Sequence, residues 1–308
     1  MLKKKKKTSA RPVPEENGVI VAHYGIAVEV LFDSGVRRKV KVKRNSGHVV
    51  GDRVGVREHR LSRAPRRTEL SRRDSRGSVR VVGANLDVVG IVVSPLPKPT
   101  PGYIDQAIVC ARQADLTPVL VINKSDLDDA PAFIDTIRSV YDDILDMFVV
   151  SALTGDGLER LTGWLGEGRR GFFVGVSGVG KSSLLNAICP TLDLGVGEIY
   201  EAGGRGCNKT TVSTLHLLPT GGELVDTPGF NEFGLVDITA DTLADVFPGF
   251  EPVPPGACRF RNCRHRTEPG CAVRQMIKAG EILQERYDAY IHTLDLVEQG
   301  DARFHIRR

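Results

Sequence analysis

Asn123-Lys124-Ser125-Asp126 has the residue types and spacing to read a guanine base. A carboxylate at Asp126 accepts two hydrogen bonds, from the N1 imino and exocyclic amino groups of guanine. Adenine offers no such donor pair, and leaving a buried carboxylate unpaired costs about 1–3 kcal/mol or more. In this reading the Lys124 stem packs over the base and Asn123 ties the loop together. Ser151-Ala152-Leu153 supplies the segment whose backbone N–H meets the guanine carbonyl. Gly175-Val176-Ser177-Gly178-Val179-Gly180-Lys181-Ser182, followed by Ser183, is a phosphate loop. Its glycines let backbone N–H groups curl around phosphate oxygens, and the next helix adds its positive end. Lys181 is expected to neutralise the β and γ phosphates, and Ser182 to ligate magnesium. Asp226-Thr227-Pro228-Gly229 fits a switch that senses the far phosphate and its metal through Asp226 and Gly229.

The order of these motifs is itself informative. An ordinary GTPase runs phosphate loop, metal aspartate, then base reader; here the base reader comes first. The same parts in rotated order predict a circularly permuted GTPase domain. In Ras-like enzymes a glutamine after the D-x-x-G motif orients the attacking water, whereas this chain has Phe230 there. Slow intrinsic turnover is expected, with stimulation by a partner that orders the switches. Beyond Gly229 the chain reaches a cysteine-rich segment within about 30 residues instead of re-entering the sheet. Loss of the γ phosphate is therefore expected to release the switch and reposition that segment.

A second constellation is Cys258, Cys263, His265 and Cys271. Three thiolates and one imidazole make a closed tetrahedral set, which suits one structural zinc ion rather than a catalytic one. Arg259, Arg261, Arg264 and Arg266 alternate with the ligands as candidate phosphate contacts. Cys110, Cys189 and Trp164 lie in apolar contexts and are expected in the core.

Hydropathy patterns give the strands and helices that hold these groups. Residues 1–16 lack apolar periodicity and read as a basic, disordered arm. Short alternating runs at 19–24, 26–32, 36–43 and 53–57 predict a small closed barrel, OB-fold or SH3-like, within 17–77. Residues 60–78, rich in arginine and serine, read as a linker. Compact apolar runs at 88–93, 118–122, 147–150, 172–175 and 223–225 alternate with helical segments at 103–114, 132–140, 158–165 and 181–188. That alternation predicts a mostly parallel sheet with helices on both faces over 78–236. A mainly helical C-terminal domain, 237–308, ends in a helix over 281–298 with Leu283, Tyr287, Tyr290, Ile291, Leu294 and Val297 on one face.

The net charge of +4 conceals an asymmetry: residues 1–76 hold 21 basic against 8 acidic residues, and the remainder 21 against 30. A basic third bearing Arg37, Arg38, Lys39, Lys41, Lys43 and Arg44 on a strand-like region predicts RNA contact. The Lys3–Lys7 run alone fits a solvated tail equally well. No stretch approaches the roughly 20 apolar residues of a membrane span, and no apolar segment comes after the charged start. A soluble, cytoplasmic protein is expected, and a monomer.

Base reader, Ser-Ala segment, phosphate loop, a Gly204-Arg205-Gly206-Cys207-Asn208-Lys209-Thr210-Thr211 stretch and Asp-Thr-Pro-Gly stand between a small barrel and a Cys/His cluster. This combination resembles the ribosome small-subunit-dependent GTPase family (RsgA/YjeQ-type) over about residues 17–290. The resemblance implies an OB-fold, a permuted GTPase domain that opens near Ala84-Asn85-Leu86-Asp87, and a zinc domain. It further implies GTP hydrolysis late in small-subunit maturation, with the barrel and basic arm on rRNA near the decoding region. In the family a histidine beside the switch threonines is a candidate for positioning water; this chain has none there. Thr210 or Thr211 can still ligate magnesium, and Lys209 either stabilises phosphate charge or contacts rRNA. The rival expectation is an RNA-binding checkpoint module in which GTP is a structural ligand and hydrolysis is negligible.

Overall fold

The protein is described by a computed structural model covering residues 15–58, 60–73, 78–189, 212–226 and 238–305. The basic arm before residue 15, the switch stretch with Lys209, Thr210 and Thr211, and Gly229 and Phe230 lie outside the described residues.

Five antiparallel strands come first: β1 (Glu16–His23), β2 (Ala27–Phe32), β3 (Arg37–Lys41), β4 (Arg53–Arg57) and β5 (Arg60–Arg63). β1 pairs with both β2 and β4, β2 with β3, and β4 with β5. Period-2 alternation turns Ile20, Val28, Val30, Phe32, Val40, Val54 and Val56 into one apolar interior. The intervening Arg37, Lys39 and Lys41 face outward on β3. This is the OB-fold-like barrel. The stretch expected as linker in fact contributes β5 and then β6 (Glu69–Arg73), which pairs with β7 (Val79–Ala84). Their arginines leave no apolar run to read; the strands exist because neighbours supply ladder partners.

The central sheet continues with β8 (Val88–Val93), α1 (Tyr103–Gln113), β9 (Thr117–Ile122), α2 (Ala130–Tyr141), β10 (Met147–Val149), α3 (Leu158–Leu165), β11 (Arg170–Val174), α4 (Lys181–Ile188), β12 (Ser213–Leu217) and β13 (Glu223–Asp226). Its order is β10-β9-β8-β11-β13-β12, parallel except for β12. β8 is apolar throughout because both of its faces are covered. Val89, Ile91 and Val93 meet α1 and α2 through Ile104, Ile108 and Ile137. Val88 and Val92 share the opposite core with Leu161, Leu165, Leu184 and Ile188 of α3 and α4. β12 is not a free edge: Thr214 and Ser213 pair with Ala22 and His23 of β1, so the barrel extends the GTPase sheet. Val21 and Val50 of the barrel are buried in the same core as Leu215 and Val225.

The C-terminal part holds α5 (Leu243–Val246), α6 (Ala272–Ala279) and α7 (Gln284–His305). Tyr290, Leu294 and Val297 are buried as the periodicity predicts, whereas Leu283 precedes the helix and is exposed. Their core includes Phe247 and Phe250 and reaches Val109 and Cys110 on α1. Beside it Arg286 of α7 donates to both oxygens of Asp105 on α1, at 2.8 and 3.1 Å. Tyr141 of α2 donates to the same carboxylate. Cys110 and Cys189 are core residues, and Trp164 is half-buried against Phe148. No helix among the described residues is long and apolar enough to cross a membrane.

Candidate nucleotide site and metal centre

The phosphate loop joins the end of β11 to the start of α4, and the base reader comes after β9, two strands away in the same sheet. Both motifs therefore sit at C-terminal strand ends, where ligands of such sheets bind. Gly180 takes φ 92° at the N-cap of α4. A Cβ there would lie 2.4 Å from Asn123 Nδ2, so handedness and close approach both require glycine.

Asn123 is the keystone of the site. Buried, it donates from Nδ2 to the Val179 carbonyl at 2.9 Å and accepts the Ala152 N–H on Oδ1 at 3.0 Å. One side chain thus joins base reader, phosphate loop and Ser-Ala segment, although they span more than fifty residues of sequence. Lys124 adds a second tie, its Nζ donating to Gly178 O at 2.7 Å and Leu96 O at 2.6 Å. Its stem crosses between the two loops, and burial lowers its pKa. The fully buried Ser151 donates from Oγ to Asp126 Oδ1, orienting an otherwise exposed carboxylate. Within the Ser151-Ala152-Leu153 segment expected to meet guanine, the Ala152 N–H is donated to Asn123 Oδ1.

Lys181 folds back onto the loop, donating to the carbonyls of Gly175 and Val176. Burial pushes its pKa down to about 8, against an opposing pull from the Asp226 carboxylate. An ammonium held in this partly dry cradle gains strongly from an incoming polyanion. Ser177, Gly178 and Ser182 line the exposed side of the loop, with Ser183 half-buried behind them. The donor set fits a phosphate chain: an N-terminal helix end, a glycine curl and one desolvated lysine. Leu96 was not legible as part of the site. The only signal for its loop was the proline-rich run from Pro95 to Pro101.

Cys258, Cys263, His265 and Cys271 bring one ligand atom each to within 4.8 Å of one another. His265 Nδ1 lies 3.6 Å from Cys258 Sγ and 3.4 Å from Cys271 Sγ. In a tetrahedron with bonds of about 2.3 Å to sulfur and about 2.0 Å to nitrogen, neighbouring ligands stand about 3.5 Å apart. The residues fit a zinc ion. Burial pushes the Cys263 thiol up to about 12 and raises that of Cys271, while it lowers His265. Packed without a cation, the thiolate forms are disfavoured and the imidazole is neutral, which is the ligand form. Supporting contacts are in place: the Ala272 N–H donates to Cys258 Sγ, and Tyr287 donates to the His265 carbonyl at 2.8 Å.

The four arginines of this segment divide. Arg264 pairs with Glu298 at 2.7 Å and Asp241 at 3.4 Å, and Arg266 with Asp295 and Glu298. They fasten the metal loop to α7. Arg259 and Arg261 remain exposed.

Comparison with known proteins places this architecture. The RsgA GTPase family model matches residues 63–236. A Pseudomonas fluorescens Pf-5 protein named small ribosomal subunit biogenesis GTPase RsgA is 40% identical over 294 residues, covering 90% of this chain and 84% of the relative. A Pseudomonas aeruginosa PAO1 protein of the same name is 38% identical over 298 residues, covering 94% and 87%. The crystal structure of YjeQ from Thermotoga maritima superposes with a TM-score of 0.74 at 31% identity, over 92% of this chain and 99% of that one. YloQ, described as a circularly permuted GTPase, gives 0.67 at 26% identity, over 95% and 98%. Motif order, sheet order and these likenesses agree: the chain belongs to the RsgA GTPase family.

Proposed function

We propose that this chain is a GTP hydrolase that acts late in maturation of the small ribosomal subunit, binding rRNA and coupling subunit-stimulated hydrolysis to its release. The observation that carries the reading is the Asn123 junction, which ties the loop read here as a guanine reader to the loop read here as a phosphate loop. Relatives near 40% identity that are named for small-subunit biogenesis supply the biological setting. In this reading Asn123, Lys124, Asp126, Ser151 and Ala152 hold the base. Residues 175–183 hold the phosphates, Lys181 carries the compensating charge, and Asp226 and Gly229 report the γ phosphate. Magnesium would be held by Ser182 with Thr210 or Thr211 and would polarise the phosphoryl oxygens. Zinc would be held by Cys258, Cys263, His265 and Cys271 as folding energy for the C-terminal part. Units at 17–77, 78–236 and 237–308, a cytoplasmic site of action and a monomeric state complete the proposal.

The sheet supports a route for stimulation. β12 begins two residues after Thr211, and its first residues pair with β1 of the basic barrel. RNA held by the barrel would steady the strand on which the switch ends. Phe230, unable to orient water, keeps the checkpoint alternative in play, with GTP as a structural ligand.

Multiple-turnover GTP hydrolysis, with and without purified small subunits at fixed salt, separates the two. A large subunit-specific stimulation, abolished in Lys181→Ala, is expected. GTP-dependent binding without stimulation would establish the checkpoint instead. If stimulation occurs, loss of it in Lys209→Ala would assign that lysine a catalytic part.

A further inference from the structure

We propose that the loop between the first two cysteine ligands, residues 259–262, is a binding tip for an unpaired RNA base. Phe260 stacks on the base, while Arg259 and Arg261 hold the flanking phosphates. This rests on the ribosomal reading above and assigns it a point of contact.

The four residues between Cys258 and Cys263 are all exposed, and Phe260 is 41% exposed. Such a ring is ordinarily buried among apolar neighbours, but here its neighbours in sequence are two arginines and Asn262. With sulfurs at both ends turned to the metal cluster, the intervening side chains must point outward. The loop is nevertheless held: the Arg259 N–H donates to the Gly270 carbonyl at 3.1 Å, and the Cys263 N–H to the Phe260 carbonyl at 3.3 Å. Gly270, at φ 73°, lies against the Arg259 stem, where an added Cβ would come within 3.0 Å. The Arg259 guanidinium sits 5.5 Å from the Phe260 ring centroid. A ring pre-positioned on a clamped loop loses little entropy when it stacks.

Charge and chemistry then select the partner. Acidic residues of α7 and Asp241 occupy Arg264 and Arg266, but none pairs with Arg259 or Arg261 among the described residues. One aromatic ring flanked by two guanidinium groups that no carboxylate pairs among the described residues is a poor apolar protein contact. It is a good single-strand contact, where stacking on an aromatic face combines with phosphate neutralisation. Asn262 adds a donor and an acceptor beside the ring.

The test is equilibrium binding of the zinc-loaded full chain to purified small ribosomal subunits at fixed salt. Phe260→Leu keeps an apolar side chain and removes the π face; affinity should fall roughly 5- to 150-fold. Phe260→Trp should bind within about twofold of wild type, and Arg261→Gln should reduce the salt slope by about 1. Zinc content and subunit-free GTP turnover should be unchanged in all three, because none of these side chains lies in the metal or nucleotide cluster. A Leu variant that binds within twofold of wild type overturns the stacking tip while leaving the ribosomal reading intact. Tolerance of Leu with loss in Phe260→Ala would mark an apolar protein contact and equally overturns it. Failure of the wild-type chain to bind subunits would remove both.

Discussion

Two joints attach other parts of the chain to the GTPase sheet, and they are built differently. At the C-terminal joint, Arg286 and Asp105 are 8% and 4% exposed beside a core of Phe247, Phe250, Tyr290, Val109 and Cys110. At the barrel joint, two residue pairs of backbone connect β1 to β12, the Val50 and Gly51 carbonyls accept from Ala84 N–H and Asn85 Nδ2, and the aliphatic Val21 and Val50 are buried with Leu215 and Val225. Arg170 adds a polar pin, donating to the carbonyl of Gly51 at 3.0 Å and to the carboxylate of Glu223. A buried ion pair backed by aromatic packing resists gradual sliding, even with Arg286 Nε left without a partner. A backbone ladder backed by aliphatic side chains and no aromatic cluster or buried ion pair opens locally at lower cost.

Position matters as much as strength. The barrel is fastened to the strand that ends the switch stretch, whereas the C-terminal part is fastened to α1, on the far side of β8. After the second switch the chain re-enters a packed core at Ile238, which is clamped to α1. The expectation that switch release repositions the C-terminal part therefore meets a structural objection: moving it would break the Asp105–Arg286 pair and separate Val109 and Cys110 of α1 from the C-terminal core. A nucleotide signal that leaves this joint intact would have to travel through β12 to the barrel.

Metal removal should break the comparison most severely. Zinc-type sites of this donor set contribute on the order of 10 kcal/mol of apparent folding energy in isolated modules. Chelation, or Cys263→Ser, is expected to abolish amide protection in α6 and much of α7 while β1 and β8 stay protected. Uniform protection after chelation would make the cluster incidental.

Next in size is Asp105→Asn, which leaves Arg286 buried without its counter-charge and should cost about 3–5 kcal/mol in denaturant unfolding. Replacing both partners by Leu and Met should cost less than either single change, which a double-mutant cycle reads directly.

Arg170→Met should cost less, about 1–3 kcal/mol, by removing the counter-charge of Glu223 and one of the two donors to the Gly51 carbonyl. Its signature is faster exchange in residues 18–23 with α7 unchanged. Smaller still is Ser213→Pro, which removes one donor at the first residue of β12. Subunit-stimulated turnover is expected to fall by a few-fold, roughly, with subunit-free turnover retained. Equal stimulation would mean that the β1–β12 ladder carries no signal.

The candidate nucleotide site is legible in the sequence because its motifs are local, each at the end of an apolar run that forms a strand. Helices α3 and α4 were legible to the residue for the same reason, each opening after a glycine and carrying a strong apolar face. The features it concealed were set by distant partners. Arg286 and Asp105 are 181 positions apart, and neither charge announces the other. Arg264 and Arg266 look like free cations until α7 places Asp295 and Glu298 beside them. β5 and β6 were hidden under arginines, and β12, a short strand isolated between polar stretches, owes its place to ladders on both sides.

Hydrogen exchange of the zinc-loaded chain with GDP and with a non-hydrolysable GTP analogue tests the central claim most directly. The account predicts that residues 213–217 of β12 and 18–23 of β1 gain protection with the analogue while residues 284–297 of α7 do not change. Altered exchange across α7 with β1 unmoved would contradict it, and would place the nucleotide-driven motion at the C-terminal joint.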